Sequence, residues 1–215
     1  MNISWESKRG SSHSNNDYVA IGVSGGNFTA VIVDASDKGK APRDMAEYWA
    51  KTLLVRYLRQ EHKSVVMLMK EAHKTLTPDY LTESASYTLI DVDIKNRIGN
   101  IVYVGDCRLG VNNQCHTNWI NEPHIMVNTF PGLDNSYASI LTRVLKARRF
   151  TQPDQVKFTW KDGDMLLLCT DGYWRPQSDD RGLNFDDVSV LKVRVEGSGF
   201  KVTIDSDCDN FFMTK

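Results

Sequence analysis

No apolar run in this 215-residue chain approaches the roughly 18 to 20 residues that a helical bilayer span needs, and Met1-Asn2-Ile3-Ser4-Trp5-Glu6 carries no signal-peptide apolar stretch. A soluble, cytoplasmic protein with no membrane partner is expected. An excess of either charge is also missing. Lys and Arg number 26 against 27 Asp and Glu, so the net charge of -1 gives no reason to expect a nucleic acid partner. Cysteine is sparse, and Cys107, Cys115, Cys169 and Cys208 form no C-x-x-C pair. Zinc and disulfide frameworks are weakly supported, and Cys107, Cys115 and Cys169 are expected to be reduced packing residues. Internal repeats and low-complexity tracts are absent. The length fits one sizeable core, and a single domain over residues 1–215 is expected.

The residues that are present alternate between strand-like and helical patterns. Tyr18 to Val23 and Phe28 to Val33 flank Ser24-Gly25-Gly26-Asn27, a β-hairpin with a glycine turn and the first ordered stretch expected. A phosphate-cradling loop is a poor reading of the same glycines, because no helix follows them and no Lys-Ser/Thr closes the motif. From Asp44 to Gln60 the residues Met45, Trp49, Leu53, Leu54, Tyr57 and Leu58 recur at helical spacing, and a second helix is expected over Ser64 to Leu76. His62 and His73, near or on these helices, read as solvated or packing histidines. Ser86 to Asp93 and Ile98 to Val104 form a second hairpin, with further strands at Leu109 to Val111 and around Trp119. A third helix is predicted over Tyr137 to Ala147, through Ile140, Leu141, Val144 and Leu145. Strands return at Val156 to Trp160, Met165 to Thr170, Val188 to Val195 and Lys201 to Ile204. This order suggests antiparallel sheets covered by helices, not alternating parallel units.

The acids fall at the ends of these apolar runs. Asp34 ends Val31-Ile32-Val33, Asp106 follows Ile101 to Gly105, Asp171 follows Leu166 to Thr170, and Asp186-Asp187 precedes Val188. A carboxylate at the lip of a buried strand carries a desolvation cost unless a positive charge meets it. Mg²⁺ and Mn²⁺ favour such oxygen ligands. Asp before Gly, as in Asp162-Gly163 and Asp171-Gly172, is also ordinary turn chemistry. Spacing alone leaves hydrolase, nuclease and structural metal site open.

At these residues the chain resembles the metal-dependent type 2C serine/threonine protein phosphatases, from about Gly10 to Val195. Asn15-Asn16-Asp17 is similar to the family's first acidic element, and Val31-Ile32-Val33-Asp34-Ala35 to its strand ending in a metal-bridging Asp. Val104-Gly105-Asp106-Cys107-Arg108 is similar to Gly-Asp-Ser-Arg, and Ile140-Leu141-Thr142-Arg143-Val144-Leu145 to the Leu-Thr-Arg helix. Asp164 to Trp174 resembles the strand ending in Ser-Asp-Gly-aromatic-Trp, and Asp186-Asp187-Val188-Ser189-Val190 resembles Asp-Asn-x-Ser/Thr-x-Val. The resemblance implies an α+β fold, a four-layer α/β/β/α sandwich of two antiparallel sheets flanked by helices. It implies two Mn²⁺ or Mg²⁺ ions and a third weaker one. Asp34 would bridge, Asp171 and Asp186 would complete one shell, the Ala35 carbonyl would serve the other, and Asp106 would hold the third ion. Asn16 and Asp17 would also belong to the metal-binding set. The implied activity is hydrolysis of phosphoserine or phosphothreonine in a phosphoprotein, the substrate of a serine/threonine kinase, by a metal-activated water, in a monomeric signalling enzyme.

Three positions depart from the family pattern. Asn16 stands where Glu or Gln is usual. Ser12 stands where an Arg clamps the substrate phosphate, leaving Arg9 or His13 as replacements. Ala35-Ser36-Asp37-Lys38-Gly39 lacks the family's histidine, so Asp37 or water would protonate the leaving group. The stretch His116 to Asn135 stands for a short flap, with His124 and Arg143 as further candidates for substrate contact. These departures motivate the alternative of a catalytically silent binding module.

Overall fold

The computed structural model describes residues 1–59, 64–113, 115–175, 186–195 and 199–214. His62 lies outside them. In chain order the elements are β1 (Asn2–Lys8), β2 (Asp17–Ser24), β3 (Asn27–Ala35), α1 (Pro42–Arg59), α2 (Val65–His73), β4 (Ser84–Asp93), β5 (Ile98–Val104), β6 (Arg108–Asn112), β7 (Thr117–Trp119), α3 (Met126–Thr129), β8 (Leu145–Lys146), β9 (Asp154–Thr159), β10 (Met165–Cys169), α4 (Asp171–Trp174), β11 (Val188–Arg194), β12 (Lys201–Ser206) and β13 (Phe211–Thr214).

The strands form two sheets. One runs β12-β1-β11-β10-β6-β7; the other runs β13-β2-β3-β4-β5-β9, with β8 beside β4. Strand alternation sorts the side chains. On β3, Phe28, Ala30 and Ile32 face the space between the sheets, where they meet Trp5, Ile21, Ile90, Leu166, Leu168 and Leu191. Val31 and Val33 face the other way, towards Met45, Trp49, Leu53 and Leu54 of α1 and Leu68 and Met69 of α2. Trp49 is fully buried, a contribution of about 1.5–3 kcal/mol. Helix α1 opens with Pro42 and carries Asp44 in its first turn and Arg56 and Arg59 in its last, as the helix dipole favours. Helix α2 is capped by Ser64, whose side chain accepts the Met67 N–H at 3.3 Å.

The α+β class, the two sheets and the helical layer over the seven-stranded sheet all stand. On the outer face of the six-stranded sheet, the described residues place only the four-residue α4. Leu167, Cys169 and Val190 are covered there by Trp119, Met165, Tyr173 and Trp174. The Arg108 guanidinium lies 4.6 Å from the Trp119 ring and 4.9 Å from the Trp174 ring, a cation–π arrangement that closes part of that face.

Four expectations need correction. The helix over Tyr137 to Ala147 is not formed: a 3-10 turn covers Asn135–Ser139, and Leu145–Lys146 pairs with Ala85 and Ser84. Leu145 and Ala147 are buried while Lys146 is exposed and Ile140 is 44% exposed, which is strand periodicity, not helical. Strand β1 precedes the hairpin taken as the first ordered stretch, burying Ile3 and Trp5 on one side. Cys115 is exposed, whereas Cys107 and Cys169 are buried as expected. Finally, the sheets are not wholly antiparallel: β12 runs parallel to β1 and β13 parallel to β2. The C-terminal segment therefore docks on the fold, adding an edge strand to each sheet. Between them, buried Asn210 accepts from Trp5 Nε1 at 2.9 Å and donates to Ser7 Oγ at 2.8 Å and the Asp17 carbonyl at 3.1 Å.

Candidate active site

The acids collect at one end of the sandwich. Asp17 begins β2 and Asp34 nearly ends β3, and strand pairing sets them directly opposite each other. Opposed like charges on neighbouring strands are destabilising. Burial is the larger difficulty. It holds the Asp34 carboxyl well above the usual carboxylate range, with Asp17, Asp171, Asp186 and Asp106 adding their negative charge. Burial does the same at Asp17, reinforced by Asp187 and Asp186. Thr170 Oγ1 donates to Asp17 Oδ2 at 3.0 Å, but Asp17 Oδ1 is buried with no partner.

The other acids arrive from the ends of three further strands, β5, β10 and β11. Asp106 sits between β5 and β6, at a turn that requires Gly105. That residue has φ +98°, and a Cβ on it would lie 2.1 Å from Ser86 Oγ. Ser86 Oγ donates to Asp106 Oδ1 at 2.7 Å, and Trp174 Nε1 donates to the Asp106 carbonyl at 2.9 Å. Burial and the Asp171 charge push the Asp106 carboxyl up to about 7. Asp171 opens α4, and Gly172 follows because a Cβ there would lie 2.1 Å from the Asp187 carbonyl oxygen. Asp186, also pushed up to about 7 by burial and Asp171, precedes β11. Asp187 is a clamp: its oxygens accept the Gly10 N–H at 2.9 Å and the Asn16 N–H at 2.7 Å, tying the 10–16 loop to β11.

Asn16, Asp34, Ala35, Asp37, Asp106, Asp171 and Asp186 line one cavity of about 280 Å³, with Ser12, Ser86, Arg175 and Asp187 among the other lining residues. Asp17 lies beneath it, opposite Asp34. Ser12 Oγ donates to Asp37 Oδ2 at 3.3 Å, so the position of the absent Arg and the candidate proton donor are neighbours. Arg9 and His13 do not join this group. They line a second cavity of about 320 Å³ with Arg43, Asp207 and Cys208. The Arg9 guanidinium donates to the His13 carbonyl at 3.0 Å. His124 and Arg143 stand behind Asp106. His124 Nδ1 accepts the Gly105 N–H at 3.0 Å, and its Nε2–H points to Asp154 Oδ2 at 3.0 Å, where Arg143 also donates at 2.8 Å. They support the Asp106 turn.

Ser86 and Arg175 are not marked by the sequence, and Asp187 is marked only as an acid at a strand end, not as a clamp. Ser86 lies inside a strand and reads as an ordinary alternating polar residue. Asp187 adjoins a residue already read as a ligand. Arg175 sits one residue beyond the Asp-Gly-aromatic-Trp run, and the apolar-run-then-acid signal does not find a cation.

The donor set can be tested against a divalent metal. It is all oxygen, which suits Mg²⁺ or Mn²⁺. Two buried oxygens, Asp17 Oδ1 and Asp171 Oδ1, have no hydrogen-bond partner, and such orphans are rare unless a water or ion meets them. Among the described residues no three acidic, histidine or cysteine side chains converge on one point as they stand. Asp171 is paired with Arg175 at 2.7 Å. In chemistry and in unmet valence the site fits a metal.

The fold, a two-sheet sandwich whose strand ends gather acids at one edge, is shared with solved structures of bacterial serine/threonine phosphatases. The serine/threonine phosphatase of S. agalactiae matches with a TM-score of 0.73 at 16% identity, over 90% of this chain and 99% of that one. Stp1 from Staphylococcus aureus matches with a TM-score of 0.74 at 17% identity, over 91% and 95%. The catalytic domain of the phosphatase PstP in complex with two manganese ions matches with a TM-score of 0.65 at 18% identity, over 88% and 96%. No protein-family model matches the chain, and no curated protein matches it.

Proposed function

We propose that this protein is a metal-dependent phosphatase that hydrolyses phosphoserine or phosphothreonine in proteins. One observation carries the reading: acids from separate strand ends line a single cavity, and Asp171 Oδ1 among them, with Asp17 Oδ1 opposite Asp34, is buried without a partner. A cluster of this kind is costly unless a cation is part of the working protein. Asp34, Asp171 and Asp186 would hold two ions with the Ala35 carbonyl, and Asn16 and Asp17 would support them. Bound divalent ions would supply the Lewis acidity that activates water and neutralises charge on the phosphoryl oxygens. The chain's own groups do the rest. Thr170 holds Asp17 through Oδ2, and Asp187 fixes the backbone of Asn16. Asp37, exposed at the mouth of the cavity, would be the candidate to hand a proton to the leaving alkoxide. Arg9 and His13, in the neighbouring cavity, would meet the phosphoprotein beyond the phosphate itself.

Purified protein should release phosphate from a phosphothreonine peptide with Mn²⁺ and not with EDTA, and Asp34→Ala and Asp171→Ala should each abolish release. Tight Mn²⁺ binding without turnover would replace this reading with a silent binding module. That second reading is favoured by Ser12 standing at the clamp position.

A further inference from the structure

We propose that the Arg175 guanidinium is a built-in cation of the acid cavity, standing between Asp171 and Asp106 where a divalent ion would otherwise bind. The inference rests on the phosphatase reading above.

Among the described residues, Arg175 is the one Lys, Arg or His side chain lining the cavity. Its Nη2 lies 2.7 Å from Asp171 Oδ2 and 4.0 Å from Asp106 Oδ2. Its Nη1 donates to the Ala138 carbonyl. The guanidinium also lies 5.2 Å from the Trp174 ring, and Trp174 is itself bonded to the Asp106 backbone. Arg175 is thus held on the same short turn that delivers Asp171. The side chains of Arg175, Asp171 and Asp106 are 18%, 14% and 5% exposed, so screening by water is weak and the charges act at close quarters.

Two consequences follow from the chemistry of the groups. A guanidinium stays charged at any working pH. A second cation placed between the same two carboxylates would stand within a few Å of it and be repelled. Arg175 also divides the labour of Asp171, a residue that lines the cavity: it takes Oδ2 and leaves Oδ1 as the oxygen with no partner. Arg175 is therefore a positioning residue for Asp171 and an occupant of the gap beside Asp106, and the protein binds one ion fewer than its acids alone would hold.

The test counts Mn²⁺ per chain by equilibrium dialysis with elemental analysis, on variants whose fold is checked by far-ultraviolet circular dichroism. Arg175→Gln should bind one Mn²⁺ more than the wild type, Arg175→Lys should match the wild type, and adding Asp106→Asn to Arg175→Gln should remove the extra ion. Asp106→Asn alone should leave the wild-type count unchanged, which keeps the idea testable if Arg175→Gln does not fold. An equal count in wild type and Arg175→Gln, or an ion lost in Asp106→Asn alone, overturns the role of Arg175 while the metal-dependent reading stands. No Mn²⁺ bound by either wild type or Arg175→Gln overturns both.

Discussion

The two sheets treat their acids differently. The seven-stranded sheet places Asp17 and Asp34 opposite each other on adjacent strands. Four neighbouring acids raise the Asp34 carboxyl with no cation among the causes, and Asp17 leaves one oxygen unmet. On the six-stranded sheet Asp187 has two backbone N–H donors, and Asp171 has the Arg175 cation on Oδ2 although its Oδ1 stays unmet. Asp17 and Asp34 face each other within a paired ladder, whose backbone N–H groups are consumed by the neighbouring strand. Strand ends that open into loops and short helical turns have donors and room for an arginine. The uncompensated half is therefore where an external cation has most to gain.

The largest break in this contrast comes from Asp34→Asn. It keeps the shape and removes the charge, and turnover of a phosphothreonine peptide should fall by roughly a thousandfold or more, given the several kcal/mol that metal-assisted stabilisation supplies. In EDTA the same variant should melt at a higher temperature than wild type, because an unpaired buried charge is gone. A lower melting temperature would mean that Asp34 already has a partner.

On the compensated side, Gly172→Ala forces a Cβ to 2.1 Å from the Asp187 carbonyl oxygen. A loss of about 1–3 kcal/mol in urea unfolding is expected, together with weaker Mn²⁺ binding as α4 and β11 part. The link between the sheets is probed by Asn210→Ala, which strands Trp5 Nε1 and an Asp17 carbonyl contact. A cost of similar or smaller size, about 1–2 kcal/mol, should appear in the same measurement. Unchanged stability would show that the C-terminal edge strands do not need this bridge.

The smallest effect is a pH slope. Burial lowers the His124 pKa from its ordinary value, with Arg143 lowering it further and Asp154 opposing both. The unfolded imidazole gains its proton as the pH falls through about 6.5, while the folded one resists. This contribution to stability is present above that pH and is lost as the pH falls through the folded value. Other acids near the site titrate with the opposite sign, so the readout is a difference. In EDTA, the wild type should lose more stability than His124→Gln between pH 7.5 and 5.5, and parallel curves would remove His124 from the account.

Much of the fold was legible because burial leaves periodic marks. The alternation in Tyr18 to Val33 and the helical spacing of Met45, Trp49 and Leu53 each report one buried face, and all three helical residues are buried on α1. The failures share a cause. Ile140 to Leu145 has apolar residues at helical intervals, but Leu145 answers to its partner Ala85 on β4, far away in sequence. Strand β13 is only four residues long, and β1 carries only Ile3 and Trp5 as large apolar residues after Met1, so both are completed by the strands they lie against.

By itself the sequence determined which acids end strands, because a hydrophobic run must stop where a charge begins. It also marked the hairpins and the two main helices, through local turn chemistry and side-chain period. Only the tertiary structure decided which acids share a space, that Arg9 and His13 line another cavity, and that Arg175 stands between Asp171 and Asp106. Apart from the local Asp171–Arg175 pair, those juxtapositions join segments tens to more than a hundred positions apart. They are set by how two sheets pack and cross, and no local pattern encodes them.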